Sequence, residues 1–120
     1  MRILVIDDNV DCAFMLRQLI RKCGHETDIA LTAEAGLTKA KEWQPDVVFL
    51  DLAIPGVDGY KLAPRLRQET LQAAKIVAIS GYRDDPARRA AAGIDAHLMK
   101  PASLQQLTDF FECEPLKAAS

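Results

Sequence analysis

The chain has 120 residues, with 15 basic and 17 acidic side chains and a formal net charge of −2. Its length suits one domain, and its 49% hydrophobic and 27% charged residues exclude a disordered or collagen-like chain. The balanced charge offers no basic surface for nucleic acid, and no apolar run reaches the roughly 18 residues of a membrane span, so we expect a cytoplasmic protein with no direct nucleic-acid binding and no membrane insertion.

The first half of the chain alternates between two hydrophobic periods. Residues 2–7 (RILVID) are an almost continuous apolar run that ends in acid, which predicts a strand buried on both faces of a parallel sheet. Apolar side chains three and four positions apart then predict a helix over 9–23, before a strand over 26–31. A second helix over 33–43 precedes another buried strand over 46–51, which also ends in aspartate.

The second half continues the alternation. A third helix is expected from near residue 58 toward residue 70, with Pro64 either kinking it or delaying its start to that position. A strand over 75–80 follows, then a short fourth helix over 86–92. The weakest predicted strand, over 95–100, comes last.

A capping box formed by Ser103 and Gln106 predicts the start of a fifth helix. Five strands alternating with five helices indicate a single α/β domain built on a doubly wound parallel sheet. We expect its core to span about 1–113 and residues 114–120 to form a tail. The three cysteines suit neither a disulfide framework nor a zinc site, which favours core thiols.

Polar side chains occur where four predicted strands end. Asp7 and Asp8 end the first strand, and Asp51 ends the third. Ser80 and Lys100 end the fourth and fifth strands. In open parallel sheets ligands bind beyond the carboxyl ends of the strands, where the winding direction reverses. If the first and third strands are neighbours, these five side chains can converge on one site.

The chemistry of these groups favours a metal and a phosphoryl group. Three carboxylates close together repel, so a positive partner is needed, and a hard cation with oxygen ligands fits. Mg²⁺ fits better than Ca²⁺ because few carboxylates are offered and open positions remain for water and phosphate. An ammonium group and a hydroxyl can hold a transferring phosphoryl group, and a carboxylate can accept it as an acyl phosphate. Each residue alone is ordinary; four strand ends supplying compatible groups are not.

These residues resemble the receiver domain of two-component response regulators. The matching segments are ILVIDDN at 3–9, DVVFLDLAIPGVDGY at 46–60, IVAISGY at 76–82 and DAHLMKP at 95–101. The resemblance covers about residues 1–113 and implies the flavodoxin-like strand order 2-1-3-4-5 with five helices. It also implies a phosphorelay switch that takes a phosphoryl group from the phosphohistidine of a histidine kinase or a histidine phosphotransfer protein.

The resemblance assigns a role to each acidic residue. Asp51 looks like the phosphoacceptor and a metal ligand, while Asp7 and Asp8 look like the acidic pair that binds Mg²⁺. The backbone carbonyl of Ala53 matches the remaining protein ligand of the metal, a role that any side chain permits. We therefore expect Mg²⁺-dependent transfer of a phosphoryl group onto Asp51.

The remaining site residues are expected to contact or report the phosphoryl group. Ser80 and Lys100 match the hydroxyl and the lysine that touch its oxygens, and they complete the catalytic set with Asp51. His97 stands where the family usually has Tyr or Phe, so Ser80 and His97 form the expected switch. The Lys100 to Pro101 bond resembles one that is cis in the family. The ring of Tyr82 is expected to cover the phosphoryl face.

Two alternatives stand beside the signalling switch. A receiver-like binding module that no longer uses phosphate predicts a missing catalytic group, and none is missing. A phosphohydrolase with an aspartyl-phosphate intermediate needs a second acid two residues after its nucleophile, and position 53 is Ala. We expect no enzyme activity beyond the domain's own phosphorylation and dephosphorylation. The segments DAHLMKP and SGYRDDPARR resemble receivers of hybrid sensor kinases, so the chain is either free-standing or excised, and no downstream partner is indicated.

Overall fold

A parallel sheet of five strands forms the centre of the computed structural model, which describes residues 1–70 and 74–112. The strands are β1 (Arg2–Ile6), β2 (Glu26–Ala30), β3 (Val47–Asp51), β4 (Lys75–Ser80) and β5 (Ala96–Met99). The helices are α1 (Val10–Lys22), α2 (Ala33–Trp43), α3 (Gly59–Glu69), α4 (Pro86–Ala91) and α5 (Leu104–Glu112). The strand order is β2-β1-β3-β4-β5, which confirms the α/β class and the implied topology. The predicted tail over 114–120 lies outside the described residues.

Two apolar clusters hold the helices to the two faces of the sheet. Alternate residues of a strand point to opposite faces, so neighbouring positions of β1 enter different clusters. One cluster packs the sheet against α1 and α5, through Ile3, Val5, Leu16, Phe49 and Leu107. The other packs it against α2 and α3, through Leu4, Ile6, Ala40, Leu50 and Leu62. All five residues of β3 are buried, as the apolar run predicted.

The register of the sheet decides where the site lies. Ile6 of β1 pairs with Leu50 of β3, and both strands run in the same direction. Asp7 and Asp51, which come next along the chain, therefore leave the sheet side by side. On the other side of β3, Asp51 pairs with Ile79, which precedes Ser80.

Helix α3 begins at Gly59, close to the predicted start near residue 58 and before the alternative start at Pro64. The side chain of Asp58 accepts a hydrogen bond from the N–H of Tyr60 at 2.9 Å, and the helix continues through Pro64 to Glu69. A start at Pro64 is therefore wrong, because the Asp58 cap starts the helix at Gly59, five residues before Pro64. The capping box predicted for α5 is confirmed, with Ser103 Oγ accepting the N–H of residue 106 at 3.1 Å.

Helix α4 is anchored by charged side chains. None of its six described residues is buried. Arg88 pairs with Asp58 at 3.3 Å, and Arg89 pairs with Asp84 at 2.9 Å. The apolar contacts at this end of the second cluster come instead from residues 92 and 94, after the helix. Surface ion pairs therefore link α4 to α3 and to the preceding loop, and apolar burial resumes only after the helix.

The thiol prediction is only partly right. Cys23 is half-buried and packs against the cluster beneath α1, but Cys12 is exposed. Cys12 lies in the first turn of α1, before the first buried residue of the helix, Ala13. Both thiols are free, and Cys113 lies outside the described residues.

Candidate functional site

All five parallel strands end at the same edge of the sheet, and four of them carry polar site residues there. Asp7 directly follows β1, Asp51 is the last residue of β3, and Ser80 is the last residue of β4. Their exposed fractions are 4%, 3% and 1%, respectively. Lys100 directly follows β5 and is half-buried, whereas Asp8 is exposed. Three polar groups of the site are thus buried, and Asp8 lies on its solvent-exposed side.

The two buried carboxylates are each fixed by one oxygen. Asp7 Oδ1 accepts the backbone N–H of Asn9 at 3.0 Å, and Asp51 Oδ1 accepts the backbone N–H of Ala53 at 2.9 Å. Both bonds reach two residues along the chain, in the manner of an Asx turn. The second oxygen of each carboxylate remains for a partner in the site.

Lys100 is that partner. Its Nζ lies 2.9 Å from Asp7 Oδ2 and 3.3 Å from Asp51 Oδ2, so one ammonium group bridges both carboxylates. The peptide bond from Lys100 to Pro101 is cis, as the resemblance implied.

Both Asp51 and Lys100 have shifted pKa values. Burial raises the pKa of the Asp51 carboxyl above its usual value, and the adjacent Asp7 carboxylate adds to the rise, although the Ala53 N–H and Lys100 oppose it. Burial acts to lower the pKa of Lys100, but its hydrogen bonds and ion pairs with Asp7 and Asp51 outweigh this and raise it. The ammonium group therefore stays charged in a site that is rich in carboxylates.

Three carboxylates of the site are close enough to share a cation. One oxygen each from Asp7, Asp8 and Asp51 can be chosen so that all lie within 4.8 Å of one another. Lys100 supplies one positive charge against these three acids. These hard oxygen donors suit Mg²⁺, and the exposed Asp8 leaves room for the several waters that Mg²⁺ keeps in its coordination shell.

The Ser80 hydroxyl is tied to the next loop and to β5. Its Oγ accepts the backbone N–H of Tyr82 at 3.2 Å and lies 3.2 Å from the Tyr82 carbonyl oxygen. A third contact joins Ser80 Oγ to Nε2 of His97 at 2.9 Å. The two residues expected to form the switch are thus in direct contact. The sequence analysis did not predict this bond, because it depends on the register of β4 and β5.

A cavity that the sequence analysis also missed lies beside the site. It has a volume of about 270 Å³ and is lined largely by apolar side chains of α1, such as Met15 and Leu19. Ala102 completes the apolar wall, and Asp7 and Lys100 belong to the same lining. The polar site thus adjoins an apolar surface.

Two expectations concern residues at the margin of the site. Tyr82 is 73% exposed, so the expectation that its ring covers the phosphoryl face is not met in this state. Its backbone, rather than its ring, contacts Ser80. Ala53 is exposed and its N–H bonds to Asp51, while the role of its carbonyl as a metal ligand stays a prediction.

Comparisons with known proteins agree with this geometry. The sequence model of the response regulator receiver domain matches residues 3–112. The DNA-binding response regulator MtrA of Mycolicibacterium paratuberculosis is 33% identical over 108 residues, covering 88% of this chain and 47% of its own length. The chain therefore spans about half of that relative.

Solved structures give the same architecture. A CheY-like receiver domain protein from Methanospirillum hungatei is 25% identical, with a TM-score of 0.85 over 98% of this chain and 95% of the other. The chemotaxis protein CheY4 of Vibrio cholerae has a TM-score of 0.86 over 93% and 96% of the two chains. Its 21% identity shows the fold alone. Within the described part of the chain, no helix is both long and apolar enough to cross a membrane.

Proposed function

This chain belongs to the family of response regulator receiver domains, and from that premise we propose that it is a phosphorelay switch whose phosphoacceptor is Asp51. The single observation that carries the assignment is the position of the Asp51 carboxylate. It is buried at the end of the central strand β3, with one oxygen held by a backbone N–H and the other facing Lys100. This arrangement leaves a fixed carboxylate oxygen for attack on phosphorus.

The residues divide the chemistry of transfer among them. As an oxygen of Asp51 forms a bond to phosphorus, the P–N bond of a phosphohistidine breaks and the imidazole keeps the electron pair. Lys100, already within 3.3 Å of Asp51, neutralises charge on the phosphoryl oxygens. The hydroxyl of Ser80 donates a hydrogen bond to another of these oxygens.

The acidic residues fit a Mg²⁺ cofactor. Receiver domains bind Mg²⁺ at an acidic pocket, and Asp7, Asp8 and Asp51 would hold it here, together with the carbonyl of Ala53. When bound, Mg²⁺ supplies positive charge to the phosphoryl oxygens as a Lewis acid. Asp7 also keeps the ammonium group of Lys100 at the edge of the site, through the contact of 2.9 Å.

The phosphodonor is a protein. Response regulators partner with histidine kinases, and we assign to this domain a histidine kinase or a histidine phosphotransfer protein as donor. The apolar cavity beside Asp7 and Lys100 supports this assignment, because a protein surface can bury apolar area next to the reacting groups. The DNA binding named for the MtrA relative is not assigned to this domain, whose formal net charge is −2.

The domain is a switch and not a general catalyst. We assign it only its own phosphorylation and dephosphorylation, in the cytoplasm, as for response regulators in general. The matched residues 3–112 support one receiver domain with a core of about 1–113.

Intact-mass analysis after incubation with Mg²⁺ and acetyl phosphate tests the proposal. The domain should gain one base-labile phosphate, and Asp51→Asn should gain none, because an amide is a poor nucleophile. Asp28→Asn, at a carboxylate on β2 away from the site, is the control and should be labelled like the original chain. Full labelling of Asp51→Asn would overturn the assignment.

A further inference from the structure

The hydrogen bonds at Ser80 impose a constraint on its proton. A serine hydroxyl has one proton to donate and two lone pairs that accept. Ser80 Oγ has three neighbours within 3.2 Å, namely the Tyr82 N–H, the Tyr82 carbonyl oxygen and Nε2 of His97. The N–H can only donate and the carbonyl can only accept, so only the imidazole can take either role.

One assignment satisfies all three contacts. If His97 Nε2 carries a proton and donates it, Ser80 accepts twice and keeps its own proton for the Tyr82 carbonyl. If Nε2 is bare, the imidazole and the carbonyl compete for one proton, and one bond is lost at a hydroxyl that is 1% exposed. Leaving a buried polar group without its partner is unfavourable. The contacts therefore favour the arrangement with the proton on Nε2.

We propose that His97 is a positioning residue that donates its Nε2–H to Ser80 and so directs the single hydroxyl proton of Ser80 toward an acceptor. That acceptor is the Tyr82 carbonyl in the resting domain and a phosphoryl oxygen on Asp51 after transfer, an extension that rests on the proposed function. A phenylalanine in place of His97 has no hydrogen-bond donor to perform this role.

The proposal couples phosphorylation to the segment before α4. In the resting domain Ser80 bonds to both backbone groups of Tyr82, which holds the first turn after β4. When the proton turns to the phosphoryl group, the Tyr82 carbonyl loses its partner. His97 keeps its bond to Ser80, so β5 stays tied to β4 while the segment over 81–85 loosens.

NMR of the whole domain tests the direction of the His97 bond. The ring-nitrogen shifts of a histidine distinguish its two neutral tautomers and the imidazolium. The chain has two histidines, and His97→Phe assigns their signals by leaving only His25. With Mg²⁺ bound, His97 Nε2 should carry a proton both without and with beryllofluoride, an analogue of the phosphoryl group. The carbonyl carbon of Tyr82 should change its shift when beryllofluoride is added. A bare Nε2 in the resting domain, or an unchanged Tyr82 carbonyl, would overturn the proposal.

Substitution at position 97 supplies the functional test. His97→Phe should take up phosphate from acetyl phosphate about fivefold more slowly, since the hydrogen bond that positions the Ser80 hydroxyl is lost. His97→Gln keeps an N–H donor of similar reach and should recover to within about twofold of the original rate. The Mg²⁺ affinity should not change in either variant, because the His97 imidazole bonds to Ser80 and not to the carboxylates of Asp7, Asp8 or Asp51 within the described part of the chain.

The outcomes separate this inference from the proposed function. Unaltered uptake in His97→Phe, or equally slow uptake in His97→Gln, contradicts the positioning role. If the original chain takes up no phosphate at all, the proposed function fails, and the protonation state of Nε2 still decides whether His97 is the donor to Ser80.

Discussion

Replacing Asp51 by asparagine should make the metal-free domain more stable, although the same substitution removes its proposed function. Asp51 is buried, and two charges act on it in opposite directions. At an effective dielectric constant of 20, Lys100 at 3.3 Å attracts the carboxylate by about 5 kcal/mol, and Asp7, within 4.8 Å, repels it by at least about 3.5 kcal/mol. Transferring the charged carboxylate from water into the protein also costs several kcal/mol. This cost outweighs the small net attraction that is left after the Asp7 repulsion is subtracted from the Lys100 attraction.

The direction in which the Asp51 pKa is shifted agrees with this balance, in which the charged carboxylate is unfavourable. Burial raises it, so the neutral form favours the folded state. The stability that the group contributes is complete below its unfolded pKa and is lost as the pH rises through its folded pKa. Above the folded pKa the full penalty of the charged form is present. Asp51→Asn removes that penalty while keeping an oxygen to accept the Ala53 N–H, and we expect a gain of about 1 to 2 kcal/mol.

Thermal and urea unfolding in EDTA measure this gain. For a domain of this size, the expected change raises Tm by about 4 to 8 °C. The control is Asp28→Asn, at a carboxylate 2.9 Å from Lys39, with about two-fifths of each side chain exposed. Burial acts to raise the pKa of Asp28, but Lys39, the Ile29 N–H and the charge of Arg17 together outweigh it and lower the pKa, so this variant should lose stability by less than about 1 kcal/mol. A loss of more than about 1 kcal/mol in Asp51→Asn would refute the reasoning.

Three further predictions concern the metal, the pH and the backbone. Asp8→Asn should weaken Mg²⁺ binding, seen as a smaller rise of Tm with added Mg²⁺; an unchanged rise would remove Asp8 from the site. Burial, with the N-terminal charge, lowers the pKa of His25, so the free energy of unfolding measured in urea should fall as the pH drops below about 6.5. His25→Leu should reduce this fall, and an equally steep fall with pH in the variant contradicts the prediction. Gly59→Ala should lose about 1 to 3 kcal/mol, because its Cβ would lie 2.9 Å from Cα of Leu52, the residue after Asp51; Gly24→Ala, which meets no atom within 4 Å, is the comparison for strain without a clash.

Much of the fold follows from local signals in the sequence. The run DVVFLD predicts a strand buried on both faces because no polar residue interrupts it before Asp51, and β3 is entirely buried. The cap of α5 was predictable because a cap needs only residues within one turn. The strand order was different: spacing alone gave the class, and the order came from the family resemblance, since it depends on how distant strands pair.

The site shows the same division. The proximity of Asp7, Asp51 and Lys100 was predictable from the sequence, because each of them ends or follows a parallel strand at the same edge of the sheet. The bond from Ser80 to His97 spans 17 positions and depends on the side-chain directions of two strands, which no local pattern specifies. The exposed ring of Tyr82 is the converse case, where proximity in sequence to Ser80 did not fix the direction of the side chain.

Helix α4 has a consequence for how such a domain can diversify. Since none of its six described residues is buried, substitutions there remove little apolar contact. The same substitutions change the shape and charge of a surface joined to Ser80 through a few residues of loop. The surface of α4 can therefore vary during evolution, while the proposed phosphate chemistry stays with Asp51 at the buried end of β3.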